Sequence, residues 1–239
     1  AVVKSWVAQG VVAVYAGSIV SMRGAEIAAV SALHTRYVGV PGMSAIGRAL
    51  GGALDVVREC TVSAVTPGEN GWRVSWEDGG DYGFDAAIVA VPADQAADLL
   101  LASAQLSDTA RSAPLAPCWA VMADFDAPLA CGFDAAFIDD ATLGWVMRDS
   151  SKPGRAGGER WVLHATTDWS RMHLEDAADS VAAELTAAFA RLAQQSQAPS
   201  RAVAHRWRYA LSQGLKAGCL WDAQRALGAA GDWCADGRI

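Results

Sequence analysis

Two short stretches carry residue types able to do chemistry together. In His205-Arg206-Trp207-Arg208-Tyr209-Ala210, the two-residue period of a strand sets His205, Trp207 and Tyr209 on one face and Arg206 with Arg208 on the other. One side would offer rings to stack on a planar ligand. The competing reading is an edge strand with solvated arginines and an aromatic face that is plain core. The second stretch is Gly231-Asp232-Trp233-Cys234-Ala235-Asp236-Gly237-Arg238-Ile239. A strand ending in Gly-Asp allows close backbone approach and offers a carboxylate to sugar hydroxyls, and Gly237 would turn backbone N–H groups toward an anion or a carbonyl. Such a loop suits a nucleotide; the alternative is an ordinary turn with Asp232 as its cap. Trp119, entered through Pro114 and Pro117, marks an irregular strand start of the kind that often faces a pocket. Core packing accounts for most of the ten tryptophans, Trp145 and Trp161 among them.

Other signatures are missing. The sequence holds no G-x-G-x-x-G, no Walker A loop, no G-x-S-x-G and no H-E-x-x-H. The four histidines, at 34, 164, 173 and 205, are scattered, and a histidine without a neighbouring ligand or base reads as structural or surface. Five cysteines, at 60, 118, 131, 219 and 234, form no C-x-x-C pair, which argues against a zinc site or a disulfide framework and for reduced thiols in a cytoplasm. No metal site is expected.

The elements that must position these residues fall into two patterns. An apolar stripe at Met43, Ile46, Leu50 and Leu54 predicts a helix entered through Pro41-Gly42 and closed by Gly51-Gly52. Strands are predicted over 55–66, 72–77 and 84–91, the first two as a hairpin. The last of them, apolar throughout, reads as a parallel strand buried on both faces, with Pro92 opening a helix over 93–101. Between 112 and 211 come aromatic-rich strands over 119–125, 135–138, 144–147, 161–165 and 203–209, a mostly antiparallel sheet. One helix crosses it, with Val181, Leu185, Ala188, Phe189 and Leu192 on one face. A short strand over 226–230 returns to the first sheet. The expected class is therefore α/β: a partial doubly wound sheet plus an α+β part with a mixed sheet.

Composition bounds the partners. The chain has 239 residues and a net charge of −7, is 52% hydrophobic and 19% charged, and has a pI near 5.0. This is too apolar for disorder, and no apolar run approaches the ~20 residues of a spanning helix. Without a positive field, nucleic acid and anionic membranes are poor partners. A small molecule is the expected one. The first residues read as the tail of a helix stopping at Gly10 and the last as an unfinished turn, so the chain is expected to be an internal fragment of a larger protein.

Taken in order, Arg36-Tyr37-Val38-Gly39-Val40-Pro41-Gly42-Met43, 84–92, Ala116-Pro117-Cys118-Trp119-Ala120, Ser150-Ser151-Lys152-Pro153-Gly154-Arg155, Trp161-Val162-Leu163-His164-Ala165, Trp169-Ser170, 205–210 and 231–234 resemble the bacterial renalase-like FAD-dependent oxidoreductases, relatives of the flavin amine oxidases. The likeness spans nearly the whole chain. It implies that 1–35 start a substrate domain, 36–111 belong to an FAD-binding domain, 112–212 form the substrate domain covering the flavin, and 213–239 return to the FAD-binding domain. By this resemblance, the family's opening strand, glycine-rich turn and helix would precede Ala1, and its closing helix would follow Ile239.

By the same resemblance, Val62 lies at the adenine of FAD, Pro92 lines the cofactor, Gly231 and Asp232 meet the ribityl and pyrophosphate region, and Gly237, Arg238 and Ile239 approach the flavin ring. Trp119, Trp145, His205, Trp207 and Tyr209 line the substrate side. The implied chemistry is hydride transfer from an isomeric dihydronicotinamide dinucleotide to the flavin and on to molecular oxygen, giving hydrogen peroxide. No acid–base catalyst is implied, and Arg206 or Arg208 would meet substrate phosphates or solvent. The fragment alone would lack the phosphate cradle and be inactive. Oxidation of an amine or another small reductant, and a non-catalytic module binding a planar metabolite, are the alternatives.

Overall fold

The structure, a computed structural model, describes residues 2–24, 26–31, 35–155 and 157–237. The chain divides into two units, Ala1–Asp55 with Pro117–Arg208, and Val56–Ala116 with Tyr209–Ile239. The fold is mixed α/β, as the sequence implies.

The first unit is built on a seven-stranded sheet. Its order is Arg201–Ser212, Leu115–Phe125, Glu159–Ala165, Leu143–Arg148, Ala135–Asp139, Ile19–Arg23 and Glu26–Ala29. Pairings among Leu115–Phe125, Glu159–Ala165, Leu143–Arg148 and Ala135–Asp139 are antiparallel, and Ala135–Asp139 runs parallel to Ile19–Arg23. Alternation makes each strand two-sided. Val20, Met22, Trp119, Val121, Ala123, Ala136, Val146, Trp161 and Leu163 point to one face, where the helix Ala178–Leu192 seals them with Val181, Leu185, Ala188 and Phe189. That helical face is the one the 3.6-residue spacing predicts. A shorter helix, Thr167–Met172, starts where the Thr166 hydroxyl accepts the Trp169 N–H at 3.2 Å.

Two expectations in this unit change. The helix near residue 45 exists, as Ser44–Gly51, but Met43, Leu50 and Leu54 are exposed and only Ala45 is buried, so its apolar stripe covers no core in this chain. The antiparallel strands Ile19–Arg23 and Glu26–Ala29 were not expected; they extend the sheet at one edge.

The second unit holds a three-stranded antiparallel meander, Val62–Gly68, Gly71–Trp76 and Asp81–Phe84. Thus 55–61 precede the first strand instead of belonging to it. The predicted run 84–91 is split as well: its start closes the meander, and Ala87–Val89 pairs in parallel with Leu227–Ala229. The parallel pairing and the returning strand match the expectation. Burial on both faces does not, because Val89 is in the core while Ile88 is 65% exposed on the other side. Pro92 begins the helix Ala93–Leu99 and a second helix, Ala104–Arg111, follows; the buried faces of both meet Val65, Trp72, Leu227 and Trp233.

No described helix is long and apolar enough to cross a membrane. Among the described residues no group of three or more His, Cys, Asp or Glu could hold a metal ion.

Candidate functional site

Unit one: the second face of the sheet. On the side away from the helix Ala178–Leu192, the strands present Met122, Phe137, Trp145, Val162, His164, Val203, His205 and Trp207, the residues between those that face the core. Phe137 stands opposite Trp145, and Trp145 opposite His164, on successive antiparallel strands. The Phe137 and Trp145 rings are 4.5 Å apart between centroids, and His205 and Trp207 are also 4.5 Å apart, edge to face. Trp207 is 55% exposed and Phe137 47%. Tyr209 is next on the same side of its strand and falls past the boundary into the second unit.

At one end this face is shaped by Tyr15, Ile19 and Val38, which pack with Trp145 and Met147. A cavity of about 300 Å³ opens there, lined by Tyr15, Ile19, Val30 and Arg36 among others. Its volume is at the lower end of the range found for small-molecule sites. Behind it lies a charged cluster. Asp149 accepts from Lys152 Nζ at 2.7 Å and pairs with Arg155 at 3.3 Å. Arg155 also donates to the carbonyls of Gly39 and Pro41, so it pins the 39–42 loop. Burial alone would raise the Asp149 carboxyl, but the Lys152 hydrogen bond and the two cations outweigh it and hold it below the usual carboxylate range.

The parity of these strands corrects the expectation for Trp119 and places Arg206 and Arg208 opposite the rings, as the sequence reading has them. Trp119 is on the helix side: it is 3% exposed, its indole N–H donates to the His173 carbonyl at 2.9 Å, and its backbone N–H donates to the Ser170 hydroxyl. It packs in the core and lines no substrate face. Arg206 and Arg208 are also on that side, where Glu175 accepts from both at 2.7 Å. The cations and the rings of 205–209 thus occupy opposite faces, as the period of two requires. Missed by the sequence reading was His164, whose alternation with Trp161, Leu163 and Ala165 already set it apart from the core.

Unit two: the ends of the parallel strands. Ala87–Val89 and Leu227–Ala229 run side by side and deliver Val91-Pro92 and Gly231-Asp232 to the same end of the pair. In open α/β sheets ligands bind outside such carboxyl ends. The Trp233 indole, fully buried, donates to the Val91 carbonyl at 3.0 Å and so ties the two connections together. A side chain at Gly231 would put its Cβ 2.8 Å from that indole nitrogen, so only glycine leaves the turn in place. Asp232 is exposed, with Oδ1 accepting the Trp233 N–H at 2.8 Å. Val62 starts the first meander strand opposite Trp76 and is partly exposed.

Gly237 departs from expectation. Its N–H donates to the Asp232 carbonyl at 2.9 Å, and at φ +70° any side chain would run into the Ser212 carbonyl. The glycine closes a turn and offers no N–H to a ligand. Arg238 and Ile239 lie outside the described residues.

Comparison with known proteins gives one family. A family model described as flavin containing amine oxidoreductase matches residues 12–224. Among solved structures, one from Exiguobacterium sp. 255-15, assigned as a protoporphyrinogen oxidase, is 14% identical with a TM-score of 0.62, covering 82% of this chain and 47% of that one. Wild-type putrescine oxidase bound to putrescine is 14% identical with a TM-score of 0.57, covering 85% and 49%. A variant from the redesign of that oxidase's cofactor binding is 15% identical with a TM-score of 0.60, covering 85% and 49%. The chain spans about half the length of the solved structures it matches, and at these identities the likeness is one of fold.

Proposed function

This chain belongs to the flavin-containing amine oxidoreductases, and on that premise we propose that it is part of an FAD-dependent oxidase acting on isomeric dihydronicotinamide dinucleotides. The observation that carries the reading is the second sheet face in the first unit, where Phe137, Trp145, His164, His205 and Trp207 present rings and imidazoles on one side with a small cavity at one end. Aromatic walls with few polar groups suit a nicotinamide ring and give it orientation by stacking.

The residues at the parallel strand ends fit an FAD molecule. An exposed carboxylate at Asp232 can accept hydrogen bonds from ribityl or ribose hydroxyls, the glycine before it admits close approach, and the Trp233 tie holds this turn against Val91-Pro92. Val62 and Pro92 would line the cofactor. When bound, FAD would accept the hydride and pass the electrons to molecular oxygen, giving hydrogen peroxide. The chain's own residues orient the substrate; no side chain is assigned a proton transfer. The pyrophosphate-binding glycine loop is not part of this sequence. Arg206 and Arg208, held by Glu175 on the helix side, are left out of substrate binding. A cytoplasmic location and a small-molecule substrate, with no nucleic acid or membrane partner, complete the proposal.

The test is anaerobic mixing of the flavin-loaded protein that carries this chain with isomeric NADH or NADPH. Bleaching of the flavin absorbance, followed by peroxide on admitting air, supports the reading. An unbleached flavin overturns it, and bleaching by small amines alone moves the substrate to that class.

A further inference from the structure

On the second sheet face, His164 is an imidazole for which the proposed function names no polar contact. His164 stands directly across from Trp145 on the neighbouring antiparallel strand and from Ala120 on the other. A small side chain on one flank and an indole on the other leave the imidazole at the centre of the row Phe137, Trp145, His164, Ala120. Near enough for its charge to act on the ring is Lys152, whose side chain is 13% exposed and whose ammonium donates to Asp149.

We propose that His164 is the specificity-determining contact of this face, hydrogen-bonding the edge of a planar substrate ring, with Lys152 as its positioning residue. The substrate class is a planar heteroaromatic ring bearing an amide or similar donor at its edge. The inference rests on the reading of this face as the substrate side.

Burial first, and the Lys152 charge second, hold His164 below the ordinary histidine range. It is therefore neutral at physiological pH, with one nitrogen able to accept a hydrogen bond. The surrounding groups do not reverse this. Asp149 is engaged with Lys152 and Arg155; Cys118, on the adjacent strand, is a thiol pushed up to about 11 and so uncharged; farther along the same strand Arg160 stands opposite Asp124. Arg148, on the next strand, points to the helix side over Trp161. A neutral acceptor among aromatic rings selects for a donor on the ligand, because an unmatched buried acceptor is costly.

The experiment measures KM and kcat for isomeric NADH as a function of pH, together with an NMR titration of the His164 imidazole and binding of NAD+ followed by tryptophan fluorescence. His164→Ala should raise KM about tenfold or more with kcat changed far less, roughly the loss of one matched hydrogen bond. His164→Gln, which keeps an acceptor, should stay near the parent. Lys152→Met should raise the imidazole titration midpoint toward the ordinary histidine value, so that the KM increase on acidification sets in at a higher pH than in the parent. If His164→Ala does not fold, His164→Phe fills the space without an acceptor and should show the same KM loss. An unchanged KM in His164→Ala or His164→Phe, or an imidazole whose titration ignores Lys152→Met, overturns the proposal. Should the parent leave isomeric NADH unoxidised, the substrate reading fails, and NAD+ binding with the NMR titration still decides the role of His164.

Discussion

The guanidinium of Arg206 lies 5.7 Å from the ring centroid of Trp119, on the helix side of the seven-stranded sheet. Its sequence neighbour Trp207 points the other way and stacks edge to face with His205. One strand therefore gives its cations to the core side and its rings to the face read as the substrate side. Arg206→Ala should lower the melting temperature slightly, since a partly exposed cation–π contact is worth about 0.5–1 kcal/mol, and should leave KM for the dinucleotide within about twofold. A large KM increase would return the arginine to the substrate site.

Glu159 should matter for stability out of proportion to its place at a strand start. It is 7% exposed, accepts the Trp161 indole N–H at 2.7 Å and pairs with Arg148 at 3.2 Å. Glu159→Ala removes a buried partner from a mostly buried guanidinium, a change that costs about 3–5 kcal/mol in comparable pairs. Chemical denaturation checks it; a loss under about 1 kcal/mol would mean that Asp134, 3.5 Å from Arg148, takes over the pairing.

Acid should weaken the loop behind the cavity through Asp149. Its carboxyl titrates lower in the folded chain than the ordinary value of 3.8, so the folded state holds its proton less tightly than the unfolded state does. The stabilisation is complete above the unfolded value and is lost as pH falls below it through the folded one. Asp149→Asn should thus be destabilised at neutral pH, and the gap to the parent should close below about pH 4. A gap that persists at pH 2 would assign the loss to geometry instead of charge.

Trp233→Phe tests the tie between the parallel strand ends. It keeps the buried ring and deletes the N–H that the Val91 carbonyl accepts at 3.0 Å. An unsatisfied buried carbonyl costs about 1–3 kcal/mol, and flavin retention should fall with it. Unaltered stability would show the tie to be dispensable.

Much of this arrangement was legible in the sequence because burial imposes period. The helix 178–192 and the strands around Trp161 and Val121 show alternation or 3.6-residue spacing that survives into the structure. What escaped depends on distant context. Nothing local told which side of the strand at Trp119 the helix would cover, so an inward tryptophan passed for a pocket wall. Short strands such as Ile19–Arg23 carry too few residues for a pattern. Gly237 looked like a donor for a ligand, but its N–H is satisfied five residues back by Asp232, a pairing that the turn's three-dimensional path creates. His164 was visible in the W-V-L-H-A alternation, and only the absence of a sequence neighbour made it seem idle.

KM for isomeric NADH in the flavin-loaded protein, compared between Trp145→Ala and Arg208→Ala, tests most directly which side of the sheet faces the substrate. Loss of a stacking wall should raise KM about tenfold in Trp145→Ala, while Arg208→Ala stays near the parent. The reverse order, with the arginine essential and the tryptophan indifferent, would place the substrate on the other side of the sheet and contradict the assignment of this face.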